Sequence, residues 1–238
     1  MEGPSRGSPT LLLFPTELER RRFDDQGGVA PGHCLCALAG FGPVAAAART
    51  AQLLAALRPR RVLLIGIAGS YAPERHAVGE ALCFTEVAID GVGAGEGPRF
   101  RGPPALGFPQ WPGSPGTTAG PVGDALPLAA PAGAPEALLL TTCAASDGAE
   151  QAGERLARFP RAVAEDMEGF AVALACALAR VPCAVVRGLS NRVGDREPGR
   201  WRIPTALAAA RRLALEVLAE PAWAAAPEGV APPEVVGP

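Results

Sequence analysis

The feature that most constrains this chain is an apolar run without alternation, Val62–Ile67, which ends in Gly66-Ile67-Ala68-Gly69-Ser70. A strand exposed on one face alternates apolar and polar residues, whereas an unbroken run belongs to a parallel strand buried on both faces. Cys183–Leu189 is a second such run and ends in Ser190-Asn191. Thr10–Phe14, Leu35–Ala39, Leu82–Ile89 and Leu138–Cys143 are further strand-sized runs. Helical spacing lies between them. Val44, Ala47, Ala48, Ala51, Leu54 and Ala55 recur on one face until Arg58-Pro59, Met167–Arg180 runs to Pro182, and Pro204–Ala219 forms a final helix. Thr16 can cap a short helix, with Glu19 three residues on as in a capping box. Strands alternating with helices predict the α/β class, with a mostly parallel or mixed sheet under helices.

The chain of 238 residues is long enough for a sizeable core, and its core runs fall in one domain over residues 10–220. Glycine (29) and proline (26) together stay just below the roughly 25–30% that marks a low-complexity chain. Their excess is therefore local. It falls in residues 90–135, read as a functional flap or irregular insertion that is mobile in part, and in flexible tails at 1–9 and 221–238. A net charge of −2 without a basic stripe argues against nucleic acid. No apolar run approaches the ~18 residues of a membrane span. The stretch Leu11–Pro15 is too short for a signal-peptide core, so a cytoplasmic location is expected. The six cysteines sit in apolar runs and read as small hydrophobes. His33-Cys34-x-Cys36 is the one cluster that suggests metal, but His76 is the only other histidine, and no metal site is expected.

Four segments invite a chemical reading, each beside a plainer one. Gly40-x-Gly42-x-x-Ala45 looks like a dinucleotide fingerprint, but the next strand ends without the carboxylate that would hold a ribose. What remains is a tight strand-to-helix turn whose backbone N–H groups a ligand can approach. Gly66–Ser70 is either a plain tight turn or a set of small residues that lets backbone amides reach a ligand beyond the strand end. Glu165-Asp166-Met167-Glu168-Gly169 places three carboxylates at a predicted helix start, where they complement the macrodipole or hold sugar hydroxyls. Arg187-Gly188-Leu189-Ser190-Asn191 closes a buried strand with the only asparagine in the chain. That asparagine is a loop residue or a site residue. No Gly-x-Ser-x-Gly elbow is present and no histidine neighbours a nucleophile, which disfavours a serine or cysteine hydrolase.

Taken in order, Leu12–Glu19, Gly40-Phe41-Gly42-Pro43, Ile65–Ser70, Val78-Gly79-Glu80, Phe159–Val163, Asp166-Met167-Glu168 and Val185–Asn191 resemble the purine nucleoside phosphorylase and nucleosidase superfamily. The resemblance is to the methylthioadenosine/S-adenosylhomocysteine nucleosidase type and spans residues 10–220. Within the superfamily, Gly66–Tyr71, Asp90–Gly93, Leu106–Pro109, Ser190-Asn191-x-Val193-Gly194-Asp195-Arg196 and Trp201-x-Ile203-Pro204-Thr205-Ala206 most resemble the futalosine hydrolase family. The resemblance implies a three-layer αβα nucleoside phosphorylase-like fold and hydrolysis of futalosine to hypoxanthine and dehypoxanthine futalosine on a route to menaquinone. It implies a nucleoside substrate, water, no cofactor, and a homo-oligomer whose neighbouring subunit takes part in closing the 5′ end.

The same resemblance implies site residues. Glu19 matches the water-activating glutamate, though a capping glutamate would look the same. Glu168 matches the ribose-binding glutamate, and a carboxylate suits a vicinal diol because it accepts two hydrogen bonds. Met167 would lie along the sugar, with Ala68 and Gly69 bordering ribose and water. Asn191, beside Ser190, stands where adenine-cleaving relatives carry aspartate. With its NH2 toward O6 and its carbonyl toward a proton arriving on N7, it favours a 6-oxopurine. Trp201 is either a base-stacking aromatic or a core residue. Arg99 and Arg101 are candidates for the benzoate carboxylate of the substrate. A phosphorylase acting on inosine-type nucleosides, an adenine-releasing nucleosidase and a non-catalytic nucleoside-binding protein are the alternatives. Phe41 and Pro43 beside Gly42 supply no phosphate ligand, which disfavours the first of these.

Overall fold

A computed structural model describes residues 8–28, 34–113, 121–220 and 223. The strands are β1 (Thr10–Phe14), β2 (Cys34–Leu38), β3 (Arg61–Ser70), β4 (Ala81–Phe84), β5 (Glu86–Asp90), β6 (Ala125–Pro127), β7 (Leu138–Thr142), β8 (Ala162–Asp166) and β9 (Cys183–Arg192). The helices are α1 (Glu17–Asp25), α2 (Pro43–Leu57), α3 (Pro103–Leu106), α4 (Ala149–Arg158), α5 (Gly169–Leu178) and α6 (Ile203–Ala219). Among the described residues, all the strands join one mixed sheet in the order β2-β1-β3-β8-β7-β5-β6, with β9 between β3 and β4. The pairings β3–β8, β4–β9 and β5–β6 are antiparallel and the rest parallel.

The unbroken apolar runs are buried on both faces, as their pattern requires. Val62 and Leu64 of β3 face one core with Leu53 and Leu54 of α2 and Phe170 and Val172 of α5. Leu63 and Ile65 face another, with Phe23 of α1 and Ala210, Ala214 and Val217 of α6. This is the expected α/β sandwich.

Four local expectations change. Leu82–Ile89 is not one strand. Thr85 breaks it by exchanging hydrogen bonds with Ala137, so β4 pairs with β9 while β5 pairs with β7. The α5 helix begins at Gly169 rather than Met167, because Glu165 and Asp166 are still strand residues of β8. Residues 121–130 are not a free flap. Val122, Leu126, Leu128, Ala129 and Ala130 are buried, and β6 pairs with β5. Trp223, expected in a flexible tail, packs in the α6 core, donates Nε1–H to the Val217 carbonyl at 2.9 Å and lies under Arg61. The rest of that tail and residues 1–7 lie outside the described residues.

Candidate active site

The site grows from a gap in the sheet. β1 accompanies β3 only as far as Leu64, and β8 joins it only at Gly69. Between those points Gly66, Ile67 and Ala68 have β9 on one side and no strand on the other. Such a divergence near the carboxyl ends of strands leaves a crevice with free backbone groups. Glu19 fills part of it. Its Oε1 accepts the Ile67 N–H at 3.1 Å, the hydrogen bond that a neighbouring strand would otherwise make.

Glu19 reaches that position because Thr16 starts α1 immediately after β1. Thr16 donates its N–H and hydroxyl to Glu19 Oε2 at 3.0 and 2.6 Å, and Glu19 N–H donates to Thr16 Oγ1 at 3.4 Å. The two readings of Glu19 are therefore compatible. One carboxylate oxygen caps the helix, and the capping box aims the other at the crevice.

Arg187 lies opposite Gly66 in the β3–β9 register and is 0% exposed. Its Nε and Nη2 donate to Asp166 Oδ2 at 3.1 and 2.6 Å, and Nη2 also reaches Glu168 Oε2 at 3.2 Å. Its Nη1 is buried and has no hydrogen-bond partner among the described residues. A Cβ on residue 66 would stand 2.1 Å from that Nη1, 2.6 Å from Glu19 Oε1 and 3.2 Å from Pro15 Cδ. Glycine at 66 is what lets guanidinium and carboxylate approach across the strand.

Glu168 is nearly buried, and its Oε1 accepts the Gly42 N–H at 2.9 Å at the start of α2. Gly40 and Gly42 hold positive φ values of 96° and 81°, which glycine adopts without strain. The amide that a ligand could have used in this turn is thus occupied by a protein carboxylate. Burial pushes the Glu168 carboxyl up to about 7, against the pull of Arg187 and the Gly42 N–H; Asp166 and Glu19 push the same way as burial. Asp166 accepts from Thr141 Oγ1 at 2.6 Å and from Gly169 N–H at 2.8 Å.

At the exit of β9 the register slips: Ala68 pairs with Leu189, but Gly69 pairs with Asn191. Ser190 is the extra residue of this bulge, and bulges re-aim the side chains around them. Asn191 lines an open cavity of about 430 Å³ with Pro73, Val78, Asp195, Arg200 and Arg202 among its walls. Asn191 lies four positions along the strand from Arg187, or roughly 13 Å of backbone.

The expected site residues fall into two groups. Glu19, Glu168 and Ala68 gather at the crevice with Arg187, Gly69 lies beyond it beside Asn191, and Met167 sits half-buried between Asp166 and Glu168. Ser190 and Asn191 form the second group. Trp201 is half-buried, donates Nε1–H to the Asp195 carbonyl at 3.0 Å and carries Arg196 over its ring. Arg99 and Arg101 are exposed on the turn after β5.

The three acids expected at a helix start are corrected. Only Glu168 is at the helix start. Asp166 holds Arg187, and Glu165 points away into a separate buried cluster, where it accepts from Ser146 N–H, Ser146 Oγ, Tyr71 OH and Arg155 Nη1. Arg187 has no assigned role among the residues expected from the sequence. The signal was there, since a cation inside an apolar strand needs buried acids around it.

Residues 26–220 match the model of the Phosphorylase superfamily. The futalosine hydrolase of Thermus thermophilus is 34% identical over 232 residues, covering 92% of this chain and 99% of the relative. This chain belongs to the futalosine hydrolase family of the phosphorylase superfamily. The futalosine hydrolase of Streptomyces coelicolor is 39% identical over 178 residues, covering 72% of each chain. Among solved structures, a methylthioadenosine/S-adenosylhomocysteine nucleosidase from Colwellia psychrerythraea with bound adenine shares the fold, with a TM-score of 0.70 at 21% identity over 90% of this chain and 95% of that one. The futalosine hydrolase of Helicobacter pylori does so at 0.69 and 15% identity, over 89% and 97%.

Proposed function

We propose that this protein hydrolyses the N-ribosidic bond of futalosine and releases hypoxanthine and dehypoxanthine futalosine. The observation that carries the reading is the approach of Glu19 and Arg187 Nη1 at Gly66, with Glu168 held on the same guanidinium, in a chain of this family. Cleavage passes through a ribosyl cation-like state, so positioned charge supplies much of the acceleration. Glu168 accepts the ribose hydroxyls. Arg187 Nη1 and Glu19 Oε1 hold a water, and Glu19 takes its proton as the water attacks the anomeric carbon, a contribution of roughly 10²–10⁴-fold. Asn191 meets the purine edge, donating to O6 while its carbonyl accepts a hydrogen bond from the N7–H that forms as solvent water protonates the leaving base. Ala68, Gly69 and Met167 border the sugar, and Ser190 and Trp201 flank the base.

Water rather than phosphate is the nucleophile in this reading. The Gly42 amide at the start of α2 already binds the Glu168 carboxylate, and the Arg187 guanidinium is already committed to two acids. The protein acts in the cytoplasm, on a route to menaquinone, as a homo-oligomer, and its exposed Phe41, Val44 and Phe108 are suited to a subunit contact.

The test is chromatography of released base from futalosine, aminodeoxyfutalosine, inosine and methylthioadenosine, each with and without phosphate. Hypoxanthine from futalosine, independent of phosphate, is the expected result. Adenine release alone would make the protein an adenine nucleosidase, and phosphate-dependent release from inosine would make it a phosphorylase. Glu19→Gln should abolish turnover while ligand affinity survives, whereas a non-catalytic binding protein would change little in either.

A further inference from the structure

The Asn191 amide is gripped at both ends. Its Nδ2 donates to the Arg192 carbonyl at 2.8 Å, and its Oδ1 accepts from the Ser190 hydroxyl at 2.7 Å. The carbonyl can only accept, so it takes the NH2 end. The hydroxyl has one proton and two available acceptors, Asn191 Oδ1 at 2.7 Å and the Ala68 carbonyl at 3.3 Å. The shorter contact takes the proton. Rotating the amide by half a turn would set Oδ1 against the Arg192 carbonyl, acceptor facing acceptor. The order of donor and acceptor on the free side of the amide is therefore set before any ligand arrives.

That order matters because an amide is ambidextrous. With N–H toward N7 and C=O toward a 6-amino group it complements adenine. Reversed, it complements a 6-oxopurine whose N7 is gaining a proton. An asparagine at this position thus selects neither base by its identity, and its flip state makes the choice. The bulge explains how that state is held. By inserting Ser190 between Leu189 and Asn191, it places the hydroxyl, 1% exposed, between the Ala68 carbonyl and the amide oxygen.

We infer that Ser190 is a positioning residue that sets discrimination between 6-oxo and 6-amino purine nucleosides, by holding the oxygen end of the Asn191 amide while the Arg192 carbonyl holds the nitrogen end. This rests on the proposed reading in which Asn191 meets the purine edge. Without Ser190 the amide keeps only the Arg192 anchor, loosens, and samples the reversed order more often.

The chain offers a direct probe, because Asn191 is its only asparagine. Selective ¹⁵N-asparagine labelling gives one side-chain NH2 signal whose order parameter reports the grip. The wild-type value should be near the rigid ~0.85, and Ser190→Ala should bring it below about 0.6. The ratio of kcat/KM for futalosine to that for its 6-amino counterpart should fall about tenfold in Ser190→Ala, which corresponds to ~1.4 kcal/mol. Ser190→Thr, which keeps the hydroxyl, should restore both readouts. Ser190→Cys, with a weaker donor, should fall between wild type and alanine, and it carries the test if the alanine variant does not fold. A folded Ser190→Ala or Ser190→Cys protein with unchanged order parameter, or with a looser amide and an unchanged ratio, overturns the inference. Release of base from neither nucleoside by the wild type overturns the underlying reading and the selectivity role with it, and the order parameter then separates that failure from a failure of the grip.

Discussion

Replacing Arg187 by methionine removes the cation that, among the described residues, stands between three buried carboxylates. Asp166, Glu168 and Glu19 are 5%, 4% and 5% exposed, and Arg187 itself is 0% exposed. It contributes two hydrogen bonds to Asp166 and one to Glu168. Breaking a buried pair by removing one partner costs about 3–5 kcal/mol, because the charge left behind has neither water nor a counter-ion. For a chain of this size, each kcal/mol lowers Tm by roughly 2–4 °C, so Arg187→Met should melt roughly 6–20 °C below wild type at pH 8. The deficit should depend on pH. Glu168 is already raised from 4.5 to about 7 by burial, with Arg187 opposing the rise. Removing Arg187 raises it further. A carboxyl whose folded pKa exceeds its unfolded one contributes stability below the unfolded value and loses it as pH rises through the folded value. At pH 5 Glu168 therefore carries little charge in either folded protein, and the deficit should shrink. Thermal melts of both proteins at pH 5 and pH 8 decide the matter. A Tm within about 2 °C of wild type at pH 8, or an equal deficit at both values, would refute the reasoning.

Other consequences are equally open to measurement. Because ionised Glu168 is the better acceptor for ribose hydroxyls, kcat/KM should climb with pH through about 7, and Glu168→Gln should flatten that limb. Gly66→Ala places a methyl where Arg187 Nη1 and Glu19 Oε1 now stand, so activity should drop about 100-fold or more while circular dichroism stays native. Glu165→Gln turns one acceptor of the Ser146, Tyr71 and Arg155 cluster into a donor facing donors. It should cost about 1–3 kcal/mol in urea unfolding, with more of the loss in stability than in chemistry.

Composition and pattern alone determined the class of fold. Continuous apolar runs can be satisfied only by strands covered on both faces, and Val62–Ile67 and Cys183–Leu189 became the paired central strands β3 and β9. The capping box at Thr16 and Glu19 was legible because it is a local exchange of hydrogen bonds between residues three apart. The tertiary structure alone decided what that glutamate faces. Glu19 Oε1 meets Ile67, 48 residues away, only because β1 and β8 leave a gap along β3. Arg187 gained its meaning in the same way, since its acids arrive from β8 and from the start of α5. The fates of Glu165, Asp166 and Glu168 could not be separated in sequence. Neighbours on a strand point to opposite faces, and the strand boundary at Asp166 was hidden by the helical pattern that follows it. Local hydrogen bonds and burial are written into short stretches of sequence. A convergence of charges at one glycine depends on where distant strands part, and that is a property of the assembled sheet.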